Sequence, residues 1–194
     1  MRVLILGSGG REHAIGWKIS SSSLLEDLQF APGNAGTAAL GVNVDLDPLD
    51  FDAVEAHVRE QGIHMVIVGP EAPLAAGIVD HFAKAKGLES LAVIGPGKEG
   101  AQLESSKKFA KDFMKRHRVP TAKFRTFSKG QIREALAFLK TMKAPYVVKA
   151  SGLAAGKGVV VTEDLKEAEK TVRGMLKGEA FGAAGKEVVI EEFL

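Results

Sequence analysis

Five short apolar runs mark the first half of the chain, at residues 3–6, 28–31, 42–44, 65–68 and 91–94. The stretches between them carry apolar residues at helical spacing, as where Phe51, Val54 and Val58 fall on one face. A strand buried on both faces has no need to alternate. Continuous apolar strands separated by helices therefore predict a doubly wound parallel sheet. Two of the runs stop abruptly at Gly69-Pro70 and Gly95-Pro96. Asp47 followed by Pro48 reads as a helix start, with proline at the first helical position.

The second half has a different rhythm. Residues 105–116 form a basic amphipathic helix with Phe109, Phe113 and Met114 on its apolar side, and Val119-Pro120 ends it. On that pattern Lys108, Lys111 and Lys115 occupy solvated positions. A short strand follows at 123–126. Ser128 and Gln131 have capping-box spacing and open a helix that runs to about residue 142. Strands at 146–149 and 159–162 flank a Gly/Ala-rich loop. Asp164 and Glu167 repeat the capping pattern before another helix, and a last strand covers 188–191. The fold class expected is α/β: a doubly wound sheet over 1–103, a linker helix at 104–122, a small α+β subdomain at 123–190, and the start of a further element at 191–194.

Composition narrows the chemistry. The chain of 194 residues has no cysteine, which excludes disulfides and thiolate nucleophiles or metal ligands. It lacks both a signal-peptide pattern and a long uninterrupted apolar segment, so a soluble, cytoplasmic protein without membrane contact is expected. The net charge of +2 is unevenly spread: −7 over residues 1–104, +12 over 105–157 and −3 over 158–194. A basic block of that kind attracts a polyanion. It has no interleaved aromatics for base stacking, so a nucleotide fits it better than a nucleic acid.

Two glycine-rich loops carry the sharper signals. The first, Gly7-Ser8-Gly9-Gly10-Arg11-Glu12, follows the first strand directly. Its glycines let backbone approach a ligand, and the next helix presents free N–H groups to an anion. A dinucleotide fingerprint would need glycine or alanine where Glu12 stands, and an acidic residue where residues 30–34 read Phe-Ala-Pro-Gly-Asn. A phosphate site with Arg11 remains. The second loop runs from Lys149 to Val159 between two strands. It has three residues between Gly152 and Gly156, with Gly158 after Lys157, so it is not a Walker A loop. A glycine hairpin with lysines at base and tip suits folding over a triphosphate.

In order, GSGGREHA (7–14), PGNAG (32–36), GPEAPLAAGIVD (69–80), LESSKKFAKDFM (103–114), VPTA (119–122), YVVKASGLAAGKGVVV (146–161) and VVIEEFL (188–194) resemble the glycinamide ribonucleotide synthetases of the ATP-grasp superfamily. The resemblance implies a pre-ATP-grasp domain, then an ATP-grasp lid. It implies ATP-dependent ligation of glycine to 5-phosphoribosylamine through a glycyl phosphate, with ATP and Mg²⁺ or Mn²⁺ as cofactors. By it, Gly9, Gly10 and Arg11 cradle the substrate phosphate with Asn34 nearby, and Glu71 accepts from ribose hydroxyls. Lys107 and Lys149 contact ATP phosphates, and Gly156, Lys157 and Gly158 close over them. Glu191 and Leu194 line the adenine pocket largely through backbone groups, with Phe193 beside it. His13 is read as structural.

Ser151 departs from the family pattern, where aspartate is usual, and should serve as an acceptor in its place. Family members also continue past the last strand with the Mg²⁺ ligands, so this chain is expected to be a fragment, inactive alone. Two rivals stay open: another ATP-grasp ligase or carboxylase, and a non-catalytic nucleotide-binding module.

Overall fold

The computed structural model describes residues 1–154 and 157–194. They form two compact units, Met1–Ala101 and Gln102–Leu194. In the first, β1 (Arg2–Gly7), α1 (Gly10–Ser20), β2 (Asp27–Pro32), β3 (Val42–Asn43), α2 (Phe51–Gln61), β4 (Met65–Val68), α3 (Glu71–Ala76), α4 (Ile78–Phe82) and β5 (Ala92–Ile94) follow one another, and α5 (Lys98–Ser105) runs across the boundary into the second. All five strands are parallel, in the order β3-β2-β1-β4-β5.

The sheet is covered on both faces, as the continuous apolar strands require. Leu4 and Leu6 of β1 pack with Val54 and Val58 of α2 and with Ile78 and Phe82 of α4. Val3 and Ile5 point the other way, toward Phe30 and, from α1, Ile15 and Ile19. Each such side chain contributes about 1.5–3 kcal/mol on leaving water. Gly16 lets α1 lie close to the sheet, since a Cβ there would run into the Phe30 ring.

One helix start differs from expectation. α2 begins at Phe51, capped by Asp50, whose carboxylate accepts the Ala53 N–H at 3.1 Å. Asp47 instead closes a turn, accepting the Leu49 N–H on its side chain at 2.9 Å and the Asp50 N–H on its carbonyl at 3.0 Å. An aspartate serves either end equally well, and Pro48 sits inside that turn.

The second unit holds α6 (Lys107–Arg116), β6 (Phe124–Ser128), α7 (Ile132–Leu139), β7 (Tyr146–Ala150), β8 (Val159–Thr162), α8 (Leu165–Lys177) and β9 (Glu187–Glu192). The strands are antiparallel in the order β6-β9-β7-β8. Alternation gives the sheet two unlike faces. Phe127, Val148, Ala150, Val188 and Ile190 meet Leu136 and Leu139 of α7 and Val172, Met175 and Leu176 of α8. The register puts Phe124, Thr126, Val147, Lys149, Val189 and Glu191 on the opposite face.

The helix expected over 105–116 is α6, which starts at Lys107, and the unexpected α5 precedes it. Ser106 has extended backbone (φ −134°, ψ 105°), and its hydroxyl accepts the Phe109 N–H at 3.2 Å, which ends α5 and caps α6. At α7 the Gln131 side chain accepts the Ser128 N–H at 2.9 Å, but the helix itself begins only at Ile132. No helix among the described residues is long and apolar enough to cross a membrane.

Candidate functional site

In the strand order β3-β2-β1-β4-β5 the chain reverses its direction of winding between β1 and β4. Ligands of open α/β sheets bind beyond the strand ends at such a point. There an open cleft of about 580 Å³ is lined by Gly7 to Glu12, Pro32, Pro48, Pro70 and Glu71. Gly9, Gly10, Arg11 and Glu71 are thus brought together. The Arg11 guanidinium donates to the Gly69 carbonyl at 2.5 Å and to Glu71 Oε1 at 3.1 Å. Both side chains are substantially exposed, so the pair is weak and an anion can compete for the arginine. The Glu71 carboxyl is held below the ordinary carboxylate value, first by its own backbone N–H at the start of α3 and then by Arg11.

Asn34 lies at the cleft's edge, and its amide is engaged with the backbone. It donates to the Ser8 carbonyl at 2.9 Å and accepts from Gly36 and Thr37 N–H at 2.7 and 3.0 Å. It ties the loop after β2 to the glycine loop.

Glu12 is the residue that sequence reasoning used only as a mismatch. It is 4% exposed and accepts the Gly9 N–H at 2.6 Å. A Cβ at Gly7 would come within 2.7 Å of its carboxyl carbon, one at Gly9 within 2.9 Å of Oε2, and one at Gly69 would overlap the carboxylate. Three glycines are therefore small to admit one glutamate, which then shapes the loop. The signal was present: Gly9 and Glu12 stand at N-cap and N3, the capping-box spacing.

The second cluster lies in the other unit, on the sheet face away from α7 and α8. Glu191 is 4% exposed at the centre of the sheet. Its backbone runs in the ladder between β6 and β7, so its side chain is what it offers to the face. Lys149 of β7 pairs with Oε1, and Lys111 of α6 lies 2.5 Å from Oε2. Burial pulls the Glu191 carboxyl upward, but the two ammonium groups prevail and hold it below its ordinary value. Burial, and after it the charge of Lys149, lowers Lys107 below the ordinary lysine value. Lysines crowded to that extent make a face that attracts anions.

Lys111 is accordingly not solvated, contrary to its expected place on a basic helix. Its ammonium also donates to Thr121 Oγ1 at 2.7 Å and lies 5.4 Å from the centre of the Phe124 ring. Lys108 is half-buried and pairs with Glu187 at 2.6 Å, while Lys115 is exposed as expected. Helical periodicity ranks apolar positions; it does not register that the facing sheet carries a buried carboxylate.

Ser151 fixes this arrangement. Its carbonyl accepts the Lys107 N–H at 2.8 Å and its buried hydroxyl accepts the Lys108 N–H at 3.1 Å. The first turn of α6 is thereby fastened to the end of β7, beside Lys149. Lys157 is exposed, and Gly158 is buried with its carbonyl accepting the Ala150 N–H at 2.7 Å. Gly156 lies outside the described residues. Phe193 lines a separate cleft of about 450 Å³ with Lys123, Phe138, Met142 and Pro145, and Leu194 is exposed. Among the described residues no three carboxylates or imidazoles converge as a metal seat.

Fold and clusters together define a class: an α/β unit with a glycine loop at its switch point, followed by a lysine-faced antiparallel sheet, as in ATP-grasp proteins. Family models narrow it. Residues 1–104 match the phosphoribosylglycinamide synthetase N domain and residues 105–194 its ATP-grasp (A) domain. The chain belongs to the phosphoribosylglycinamide synthetase family. It is 52% identical over 196 aligned positions to the phosphoribosylamine–glycine ligase of Vibrio parahaemolyticus, covering all of this chain and 44% of that protein. The crystal structure of the phosphoribosylamine–glycine ligase of Thermotoga maritima matches with a TM-score of 0.76 and 35% identity, again over 100% of this chain and 44% of the other. A biotin carboxylase domain from Hydrogenobacter thermophilus shares the fold at 19% identity, with a TM-score of 0.70 over 100% of this chain and 44% of that one. The chain thus spans less than half the length of these proteins.

Proposed function

We propose that this chain supplies the sugar-phosphate site and much of the nucleotide-phosphate site of an enzyme that ligates glycine to 5-phosphoribosylamine. In that reaction a glycine carboxylate oxygen attacks the γ-phosphorus of ATP, and ADP leaves. The substrate amine then attacks the acyl carbon, phosphate leaves, and a proton is lost from nitrogen. Binding and charge neutralisation supply most of what such chemistry needs.

The roles follow the two clusters. Gly9, Gly10 and Arg11 take the phosphate of phosphoribosylamine at the start of α1, and Glu71 accepts from the ribose hydroxyls. Asn34 holds the loop in shape. Lys107 and Lys149 neutralise the ATP phosphates under the loop that carries Lys157 and Gly158. Val159 and Val161 are exposed beside Lys149 on the same face and offer an apolar surface to the base, with Glu191 of β9 on that face and Phe193 and Leu194 just beyond it in the chain. Mg²⁺ or Mn²⁺, when bound, offsets charge on the transferred phosphoryl group. In domain terms, 1–103 takes the sugar phosphate, while the helix at 104–122, the lid at 123–190 and the residues from 191 take the nucleotide.

The observation that carries this reading is the Arg11–Glu71 pair, set across a glycine loop at the switch point of a parallel sheet. The test is glycine-dependent ADP release by a full-length ligase carrying this chain. Lys149→Ala should lower kcat/KM for ATP, and Glu71→Gln that for phosphoribosylamine, each by about a hundredfold. Unchanged rates in both variants would refute the assignment. A requirement for bicarbonate in place of glycine would move the enzyme to the carboxylases.

A further inference from the structure

Glu191 is a carboxylate with almost no exposed surface, served by two ammonium groups from different elements. The two are not equivalent. Lys111 reaches it from α6, and its ammonium is fixed on three sides: 2.5 Å from Glu191 Oε2, 2.7 Å from Thr121 Oγ1, and over the Phe124 ring opposite Glu191 on β6. Its side chain is 11% exposed. Lys149 reaches Oε1 from β7 with a side chain 28% exposed, on the same face as the open valines of β8. Lys107, at the start of α6, is the third cation in the field of this carboxylate.

This arrangement poses a problem that a single lysine could not solve. An incoming polyphosphate draws Lys149 away from Glu191. With no other partner the buried carboxylate would be left uncompensated, at a cost of the same order as the gain from the new contact. We propose that Lys111 is a positioning residue of this face: it is the standing counter-ion of Glu191, which leaves Lys149 free to transfer to an incoming polyphosphate. Lys111 itself makes no contact with the ligand. The inference rests on reading the face as a polyphosphate site, and extends it by dividing its lysines into two that serve the ligand and one that serves the protein.

The first test needs no ligand. In the 194-residue chain labelled with ¹³C at glutamate carboxyls, Lys149→Met imitates withdrawal of that lysine. The Glu191 resonance should keep its carboxylate position at pH 7 in this variant, and should move toward the protonated position at higher pH in Lys111→Met than in Lys149→Met. A Lys149→Met variant that disturbs Glu191 as much as Lys111→Met does overturns the proposal. In the second test, inorganic triphosphate is titrated calorimetrically. Lys111→Met should weaken binding about tenfold, and Lys111→Arg should restore it. In the Glu191→Gln background the same Lys111→Met change should have no further effect, because there is no charge left to neutralise, and that double variant should fold even if Lys111→Met alone does not. Equal affinity in wild type and Lys111→Met overturns the proposal. Failure of the wild-type chain to bind triphosphate overturns the polyphosphate reading of the face, while the carboxyl resonances still decide what Lys111 does.

Discussion

Glu12 and Glu191 are each 4% exposed, yet they are satisfied by different means. Glu12 is held by a backbone N–H and by three glycines that give it room. Glu191 is held by charge, and that has a consequence in acid. Its carboxyl titrates below the ordinary value of 4.5, so its ionised form stabilises the fold. The contribution is complete above 4.5 and is lost as pH falls through the lowered folded value. Glu191→Gln should cost about 2–3 kcal/mol at pH 7, because two ammonium groups lose their partner. It should also flatten the loss of stability below pH 4.5. Urea midpoints measured from pH 7 to 3 check both, and an acid limb unchanged from wild type would contradict the ion-pair account. At this scale residue type alone singled out Arg11, Lys107 and Lys149 as candidates. The sequence was illegible for Lys111, whose role depends on a carboxylate eighty residues later in the chain.

At the scale of elements, the strand ends are more telling than the strands. β4 is followed directly by Gly69, whose carbonyl accepts from Arg11 and whose α-carbon faces Glu12. Gly69→Ala should therefore destabilise the first unit by about 1–3 kcal/mol through overpacking. Glu12→Ala in the same chain should relieve most of that added strain, which a double-mutant cycle by urea unfolding would measure. Strictly additive losses would mean that the glycine is required for another reason. The five parallel strands were readable because a doubly covered sheet writes unbroken apolar runs. Helix α5 was not, and only the Ser106 hydroxyl at the Phe109 N–H divides it from α6. The helix start at Asp50 was misplaced to Asp47 because two cap-competent aspartates stand three residues apart.

At the scale of the molecule, the chain pairs a unit that presents a cleft at a sheet's switch point with a unit that presents a lysine-bearing face. The α/β class was legible from unbroken apolar runs separated by helical stretches, and the two compact units meet at Ala101–Gln102. The opposition of polar and apolar faces in the second sheet was not legible, because which face Lys149 and Glu191 share is decided by the register of β7 against β9. The central claim is that the first unit's cleft takes a sugar phosphate. It is tested most directly by calorimetric titration of this chain with ribose 5-phosphate, a stable stand-in for phosphoribosylamine, beside NAD⁺. Ribose 5-phosphate should bind and NAD⁺ should not, and Arg11→Ala should weaken the binding about tenfold or more through loss of a charge-assisted contact. Binding of NAD⁺ in preference to ribose 5-phosphate would contradict the account and make the first unit a dinucleotide module.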